Sequence, residues 1–224
     1  MFTTNDGSTS LTCTRFDEAY HSKFGAVSES RHVFVNAGLR EWYRLQPKKQ
    51  RPVQVFEMGF GTGLNAVLSL QWAEDLQRAV AYHSIDLFPL SEEHLNALNH
   101  ADFMDEDLCE NVRQVQHGEW DKVLDISPNF TLHKQQISLL DIELPNAFYD
   151  VIFFDAFSPK TQPELWIEEV FRKLYAAAKK GAVLTTYSAK GDVRRALKAA
   201  GFSVEKIPGP PGGKLEMTRA KKLN

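Results

Sequence analysis

The sequence predicts an α/β fold of the Rossmann-like kind: a mostly parallel, seven-stranded sheet with helices on both faces. Three observations carry this. Apolar, β-branched runs alternate with helically spaced segments, a glycine-rich turn follows the first full run, and acidic residues close several of the others. The 224 residues, 43% hydrophobic and 25% charged, suffice for one sizeable core and exclude disordered and fibrous classes. No apolar run approaches the roughly 20 residues of a membrane helix. The polar start, Met1 to Ser10, lacks the basic and apolar regions of a secretory signal. Cys13 and Cys109 are too few for a disulfide framework or a metal site. The expectation is a cytoplasmic protein with no metal and no membrane partner.

In chain order, residues 1–50 read as a polar N-terminal extension and 51–224 as the main unit, together one structural domain. The extension is expected to hold a strand at His32–Val35 and a helix over Leu39–Leu45. Val53–Met58 reads as a buried strand. A helix to about Leu76 follows, on the spacing of Leu64, Val67, Leu68, Trp72 and Leu76. Val80–Ile85 is the next strand and Ser91 opens the next helix. Acidic Ala101–Asp125 breaks the rhythm and reads as a partly helical surface insertion. Phe130–Leu140 reads as extended chain that allows a hairpin about Gln135-Gln136. Val151–Phe154 is a strand, and Pro163 opens a helix to about Ala178. A strand at Ala182–Tyr187, a helix Asp192–Ala200 stopped by Gly201, and strands at Phe202–Lys206 and Leu215–Thr218 complete the order.

The turn after the first strand reads Glu57-Met58-Gly59-Phe60-Gly61-Thr62-Gly63-Leu64-Asn65. Glycines let the chain turn sharply and approach a ligand without interference from Cβ. A dinucleotide fingerprint wants its third glycine at the sixth position; here it falls at the fifth, with an acid just ahead. That spacing is usual for S-adenosylmethionine sites, so the fold expected is that of an S-adenosylmethionine-dependent methyltransferase. Glu57 would take the cofactor ammonium, with Gly59, Phe60, Gly61, Gly63 and Asn65 along its methionine and ribose portions. Asp86 ends the second strand, where an acid can accept both ribose hydroxyls. Asp141 follows the run Ile137–Leu140 and would meet the adenine amino group. Asp155 follows the fourth strand in Asp155-Ala156-Phe157-Ser158-Pro159, where a carboxylate could orient an amine nucleophile and accept its proton.

Charge is unevenly spread. Residues 172–224 hold 13 Lys/Arg against 3 Asp/Glu, a net of +10 in a chain whose total is −3. Such a split suggests a basic face for a polyanion.

These stretches resemble the methyltransferase module of the bacterial MnmC family. The likeness rests on four segments in family order: Tyr20-His21-Ser22 through Glu29-Ser30-Arg31-His32-Val33-Phe34; the glycine loop; Asp155 to Pro159 with Pro163-Glu164-Leu165-Trp166; and Gly213-Lys214-Leu215-Glu216-Met217. The resemblance implies methylation of the 5-aminomethyl group on the wobble uridine of tRNA, with the anticodon stem-loop as partner and Asp155 as the catalytic residue. It implies substrate or tRNA contacts from Lys214, Glu216 and Met217, with phosphate contacts from the basic quarter, including Arg194 and Arg195. Leu215 stands where the family motif has arginine. Phe157, Trp166 and Tyr187 are candidates for stacking a splayed base, although Trp166 is better placed as a core residue. Family members that also carry a flavin-dependent oxidase need more chain than 224 residues, so a standalone methyltransferase, monomeric by default, is expected.

Three rivals differ in class. A polyamine-type aminopropyltransferase shares the fold and a strand-end aspartate, but gives a basic terminal quarter no use. A non-catalytic tRNA-binding module would not need the acid-glycine loop with Asp155. A nicotinamide oxidoreductase conflicts with the glycine spacing.

Overall fold

The computed structural model describes residues 1–47, 49 and 51–224. Eight strands form the main sheet: β1 Val53–Met58, β2 Val80–Ile85, β3 Val123–Ser127, β4 Phe130–Gln135, β5 Tyr149–Phe154, β6 Ala178–Thr186, β7 Ser203–Pro208 and β8 Glu216–Lys221. Their spatial order is β7-β8-β6-β5-β1-β2-β4-β3. Neighbours from β6 to β4 pair in parallel, while β8 runs against β6 and β7, and β3 against β4. The α/β class and the mostly parallel sheet are as expected, with one strand more than the seven predicted.

The extra strand is β3, drawn from the stretch read as a surface insertion. Its burial is confined to Ile126, with Val123 and Asp125 exposed. An edge strand needs only one covered face and tolerates charge, so its pattern is weak. The hairpin it makes with β4 turns at residues 128–129, and the chain after Gln135 leaves the sheet. By contrast every residue of β5 is buried. Such a strand is stable only where both faces of the sheet are covered.

One covering layer comes from the N-terminal region. Ala26–Ser30, the π-helical turns Arg31–Arg40 and Glu41–Leu45 follow without a break as helix α1. The strand expected at His32–Val35 is therefore helix. Val33, Phe34, Val35, Ala37, Gly38 and Leu39 are all buried, and packing on the sheet outweighs β-branched propensity. Gly38 permits the approach, since a Cβ there would lie 2.8 Å from the Phe153 ring. The same core contains Trp42, Val53, Val67, Trp72 and Tyr82. The boundary drawn at residue 50 thus separates no packing units. Helix α2, Leu64–Asp75, shares this face.

Next come α3, Glu92–Asn96, two 3₁₀ turns, and α4, Cys109–His117, which buries Val112 and Val115. The opposite face of the sheet is covered by α5, Glu168–Ala177, and α6, Gly191–Ala199, around Phe154, Phe171, Leu174 and Leu197. Pro163 opens only a 3₁₀ turn to Leu165, not the whole expected helix. The break falls at Trp166, which is buried and whose indole N–H donates to the Phe157 carbonyl at 2.8 Å. No helix among the described residues is long and apolar enough to cross a membrane.

Lys134 is an unexpected interior residue, 1% exposed. Its ammonium donates to the Val115 and Gln116 carbonyls, each at 3.1 Å, at the end of α4. It also lies 4.9 Å from the Phe60 ring and 5.1 Å from that of Trp120. Helix-end carbonyls and ring faces favour a cation, yet burial prevails and pushes its pKa down to about 8. Between about 8 and the ordinary 10.5, the unfolded chain binds more protons than the folded one. Lys134 therefore weighs least on stability at high pH, and its contribution should improve as pH rises through that window. Urea unfolding of the wild type and Lys134→Met at pH 7.5 and 9.5 checks this. The wild type should gain relative to the variant; a constant difference would mean that Lys134 stays charged.

Candidate active site

Strand order reverses between β1 and β5, so the loops leaving their carboxyl ends diverge and open a crevice, as doubly wound sheets do. The crevice encloses about 390 Å³, within the usual range for a small-molecule site. Its walls are the glycine loop, the Asp86–Phe88 turn after β2, the Asp155–Phe157 turn after β5 and an N-terminal segment folded across the top.

All three loop glycines have left-handed φ: +93° at Gly59, +51° at Gly61 and +76° at Gly63. The chain itself explains each. A Cβ on Gly59 would lie 2.4 Å from the Asp155 carbonyl oxygen, one on Gly63 2.9 Å from the Phe60 ring, and one on Gly61 3.0 Å from the Tyr20 ring. Phe60 is buried with its ring 5.5 Å from that of Trp120, and it forms part of the wall.

Asp86 lines the crevice directly after β2. Its Oδ2 accepts the Gly61 N–H at 2.9 Å and its Oδ1 the Phe88 N–H at 2.8 Å, so both oxygens keep lone pairs for hydroxyl donors. Burial raises its pKa despite these bonds. Asp155 also faces the crevice, and its Oδ2 accepts from Asn65 Nδ2 at 2.9 Å. Burial pushes the Asp155 carboxyl up to about 7. The Asn65 bond opposes that rise, Glu29 adds to it and Lys214 opposes it.

The other two acids are placed elsewhere. Glu57 is fully buried beneath the loop, where its Oε2 accepts the Ser84 hydroxyl at 2.6 Å. Burial drives its pKa up to about 8, which favours the neutral acid in this environment. Asp141 is exposed and does not line the crevice. The reason is local: β4 stops at Gln135, and the Ile137–Leu140 run expected to end on Asp141 is a loop.

The N-terminal segment supplies a wall that residue patterns did not assign to the site. The strand pair Thr12–Cys13 and Glu18–Ala19 brings Phe16, Glu18 and Tyr20 over the opening. Phe157 sits between Phe16 and Tyr20, with ring centroids at 5.0 and 5.2 Å. Glu18 ties this segment to the loop after β5, accepting from the Ser158 N–H at 3.2 Å and the Thr161 hydroxyl at 2.6 Å. Burial and then the Asp86 charge raise the Tyr20 pKa, so its phenol stays protonated. Glu29, at the start of α1, accepts the Ser22 N–H at 2.8 Å and is raised by burial. Tyr20 and Glu29 fall in the stretch from Tyr20 to Phe34 that resembles the family, whereas Phe16 and Glu18 precede it and reach the site only through the crossing of the chain.

Of the terminal motif, Gly213 and Lys214 reach the crevice. The Lys214 ammonium lies 4.3 Å from the centre of the Tyr187 ring, and burial lowers its pKa. The Tyr187 hydroxyl donates to the Ala156 carbonyl at 2.8 Å. Glu216 is turned away to Arg194 at 3.6 Å and Lys206 at 3.3 Å. Arg195 is paired with Asp192 on the surface of α6. Met217 is fully buried on β8, paired with Ile207, and has no surface for a substrate. Alternation along a strand sends it inward.

The crevice suits a cofactor with an ammonium and a ribose. Asn65 Oδ1 and Thr62 Oγ1, both buried in residues of the wall, lack partners among the described residues, while Asp86 can accept hydroxyls. Residues 106–223, more than half the chain, match the family described as S-adenosyl-L-methionine-dependent methyltransferase. The chain belongs to that family. S-adenosylmethionine is accordingly the cofactor of this methyltransferase. The methyltransferase is 36% identical over 219 residues to the tRNA 5-methylaminomethyl-2-thiouridine biosynthesis bifunctional protein MnmC of Cupriavidus metallidurans, covering 92% of this chain and 32% of that protein. It is 31% identical to the Leptospira borgpetersenii protein of the same name, covering 94% and 33%. It thus spans about a third of the curated relatives it matches. The crystal structure of MnmC2 from Aquifex aeolicus superposes with a TM-score of 0.73 at 26% identity, over 99% of this chain and 69% of that one. Spermidine synthase from Thermotoga maritima shares the fold alone, with a TM-score of 0.56 at 13% identity over 96% and 69% of the two chains. The likeness expected from the four segments is borne out.

Proposed function

We propose that this methyltransferase N-methylates the 5-aminomethyl group of wobble uridine in tRNA. The observation that carries the reading is the juxtaposition of Asp155 with Phe157, Tyr20 and Tyr187 in the crevice that holds the glycine loop. Aromatic walls suit a splayed base, and a partly buried carboxylate suits its amine. The names of the MnmC relatives support the same substrate. In this reading Gly59, Phe60, Gly61, Gly63, Asn65 and Asp86 hold the cofactor, Asp155 is the catalytic residue, and Phe157 and Lys214 meet the nucleotide. Glu57 supports the loop from below. The partner is the anticodon stem-loop, and the reaction belongs in the cytoplasm with its tRNA.

The test is incubation with methyl-labelled S-adenosylmethionine and tRNA from cells lacking this methyl group, followed by nucleoside analysis. Label should appear in 5-methylaminomethyl-uridine, thiolated or not. Label in another nucleoside, or none in tRNA, would overturn the reading.

An aminopropyltransferase is the second reading, favoured by the crevice acids Glu18, Glu29, Asp86 and Asp155. Glu18 and Asp86 are, however, engaged by the chain, and Lys214 adds a cation where a polyamine would be repelled. Decarboxylated S-adenosylmethionine with putrescine should give no product; formation of spermidine would favour this alternative.

A further inference from the structure

We propose that the RNA backbone is held at the crevice mouth by Arg15, Lys23, Lys160, Lys190 and Lys214, so that only two of the cations of the C-terminal quarter take part. This placement rests on the tRNA reading above. The sequence places its cationic excess in residues 172–224, but the fold uses most of it internally. Arg172 pairs with Glu168, Lys179 with Asp150, Arg194 and Lys206 with Glu216, Arg195 with Asp192, and Arg219 and Lys221 with Glu41 and Glu205. Lys173 and Lys222 donate to main-chain carbonyls. Among the described residues of this quarter, Lys180, Lys190, Lys198 and Lys214 have no such partner. Two of these four are at the crevice: Lys214 lines it, and Lys190 is near enough for its charge to act on Lys214.

The remaining mouth cations come from parts of the chain with no basic excess. The Arg15 guanidinium lies 4.2 Å from the centre of the Phe88 ring, and Phe88 lines the crevice. Lys23 stands between Ser22 and Phe24, both in the wall, and Lys160 is on the turn that Glu18 clasps through Ser158 and Thr161. All five are exposed residues, and none has a carboxylate within 4 Å among the described residues. The acids Glu29, Glu18 and Asp155 act on Lys214, and Asp17 is exposed at the hairpin turn.

A nucleotide splayed into the crevice leaves its own and adjoining phosphates at the mouth, where these cations stand. Phe24, Leu87 and Phe88 line the crevice yet remain 45%, 45% and 37% exposed. Apolar and aromatic surface beside cations is how single-stranded RNA is commonly met, by stacking and by phosphate contact.

The test compares Arg15→Glu/Lys23→Glu/Lys190→Glu with Arg195→Glu/Lys198→Glu on the exposed side of α6. Lys214 is left intact because it lines the crevice beside Asp155. Affinity for undermodified tRNA is measured against salt concentration, with S-adenosylmethionine affinity confirming that each variant is folded. The triple variant should lose roughly tenfold or more in tRNA affinity and flatten the logarithmic salt slope by about three. The α6 variant should stay within about twofold of wild type, the effect of distant surface charge being small once screened. A triple variant with wild-type affinity and slope overturns the placement, as does a larger loss in the α6 variant. In either case a wild type that still methylates tRNA leaves the functional reading intact. Wild-type protein indifferent to tRNA but bound to anionic vesicles overturns both.

Discussion

Asp155→Asn should lower kcat by about 10²-fold or more, the scale of general-base effects, with S-adenosylmethionine affinity close to wild type. The Asn65 amide keeps an acceptor in the new side chain, so the crevice should hold its shape. What disappears is the charge. A primary amine of lysine-like pKa near 10.4 is almost wholly protonated at neutral pH and has no lone pair for attack. Aromatic burial lowers that pKa, while an ionised carboxylate favours the ammonium and opposes the loss of its proton. In the proposed reaction Asp155, with its carboxyl raised to about 7, would instead accept an N–H, aim the remaining lone pair at the methyl group and stabilise the methylammonium product. Positioning for in-line transfer can contribute several kcal/mol. The ionised form is needed, so wild-type kcat/KM should climb through pH 7 as Asp155 deprotonates, and further as neutral amine accumulates. In Asp155→Asn the inflection near 7 should vanish and only the amine-driven rise remain. Near-normal turnover of aminomethyl-uridine tRNA by this variant would remove Asp155 from catalysis.

Gly61→Val should abolish measurable S-adenosylmethionine binding in calorimetry. The backbone at Gly61 has φ +51°, a conformation that strains a β-branched residue by about 1–3 kcal/mol. Its new side chain would begin 3.0 Å from the Tyr20 ring and project into the crevice beside the N–H bonded to Asp86. Circular dichroism melting distinguishes loss of the site from loss of the fold. Adding Tyr20→Ala identifies the obstructed partner. If the double variant recovers binding, the glycine serves the approach of the N-terminal segment; if it does not, the glycine serves the cofactor. Normal titration of Gly61→Val would count against the loop as the cofactor site.

Much of the framework was legible in the chain because it follows from local patterns. Buried parallel strands need apolar β-branched runs, the strand-to-helix turn needs glycines, and Asp86 and Asp155 were found by counting to strand ends. The readings that failed lacked such a pattern or were outweighed. β3 is a short edge strand with a single buried residue, and His32–Val35 is helix because a sheet face had to be covered. Asp141 was misplaced once the strand before it ended at Gln135.

By itself the sequence determined the α/β class, the loop that turns from β1 into α2, and two carboxylates at one end of the sheet. Spacing along the chain and the alternation of strand side chains suffice for these. Only the tertiary structure decided that Glu57 is fully buried with its pKa pushed up, that Met217 is core, and that Arg194 and Arg195 are already paired. It also brought Phe16, Glu18, Tyr20 and Glu29 across the crevice from the first thirty residues. Ionisation and accessibility depend on which distant groups share a low-dielectric space, and no count of residues along one segment carries that information.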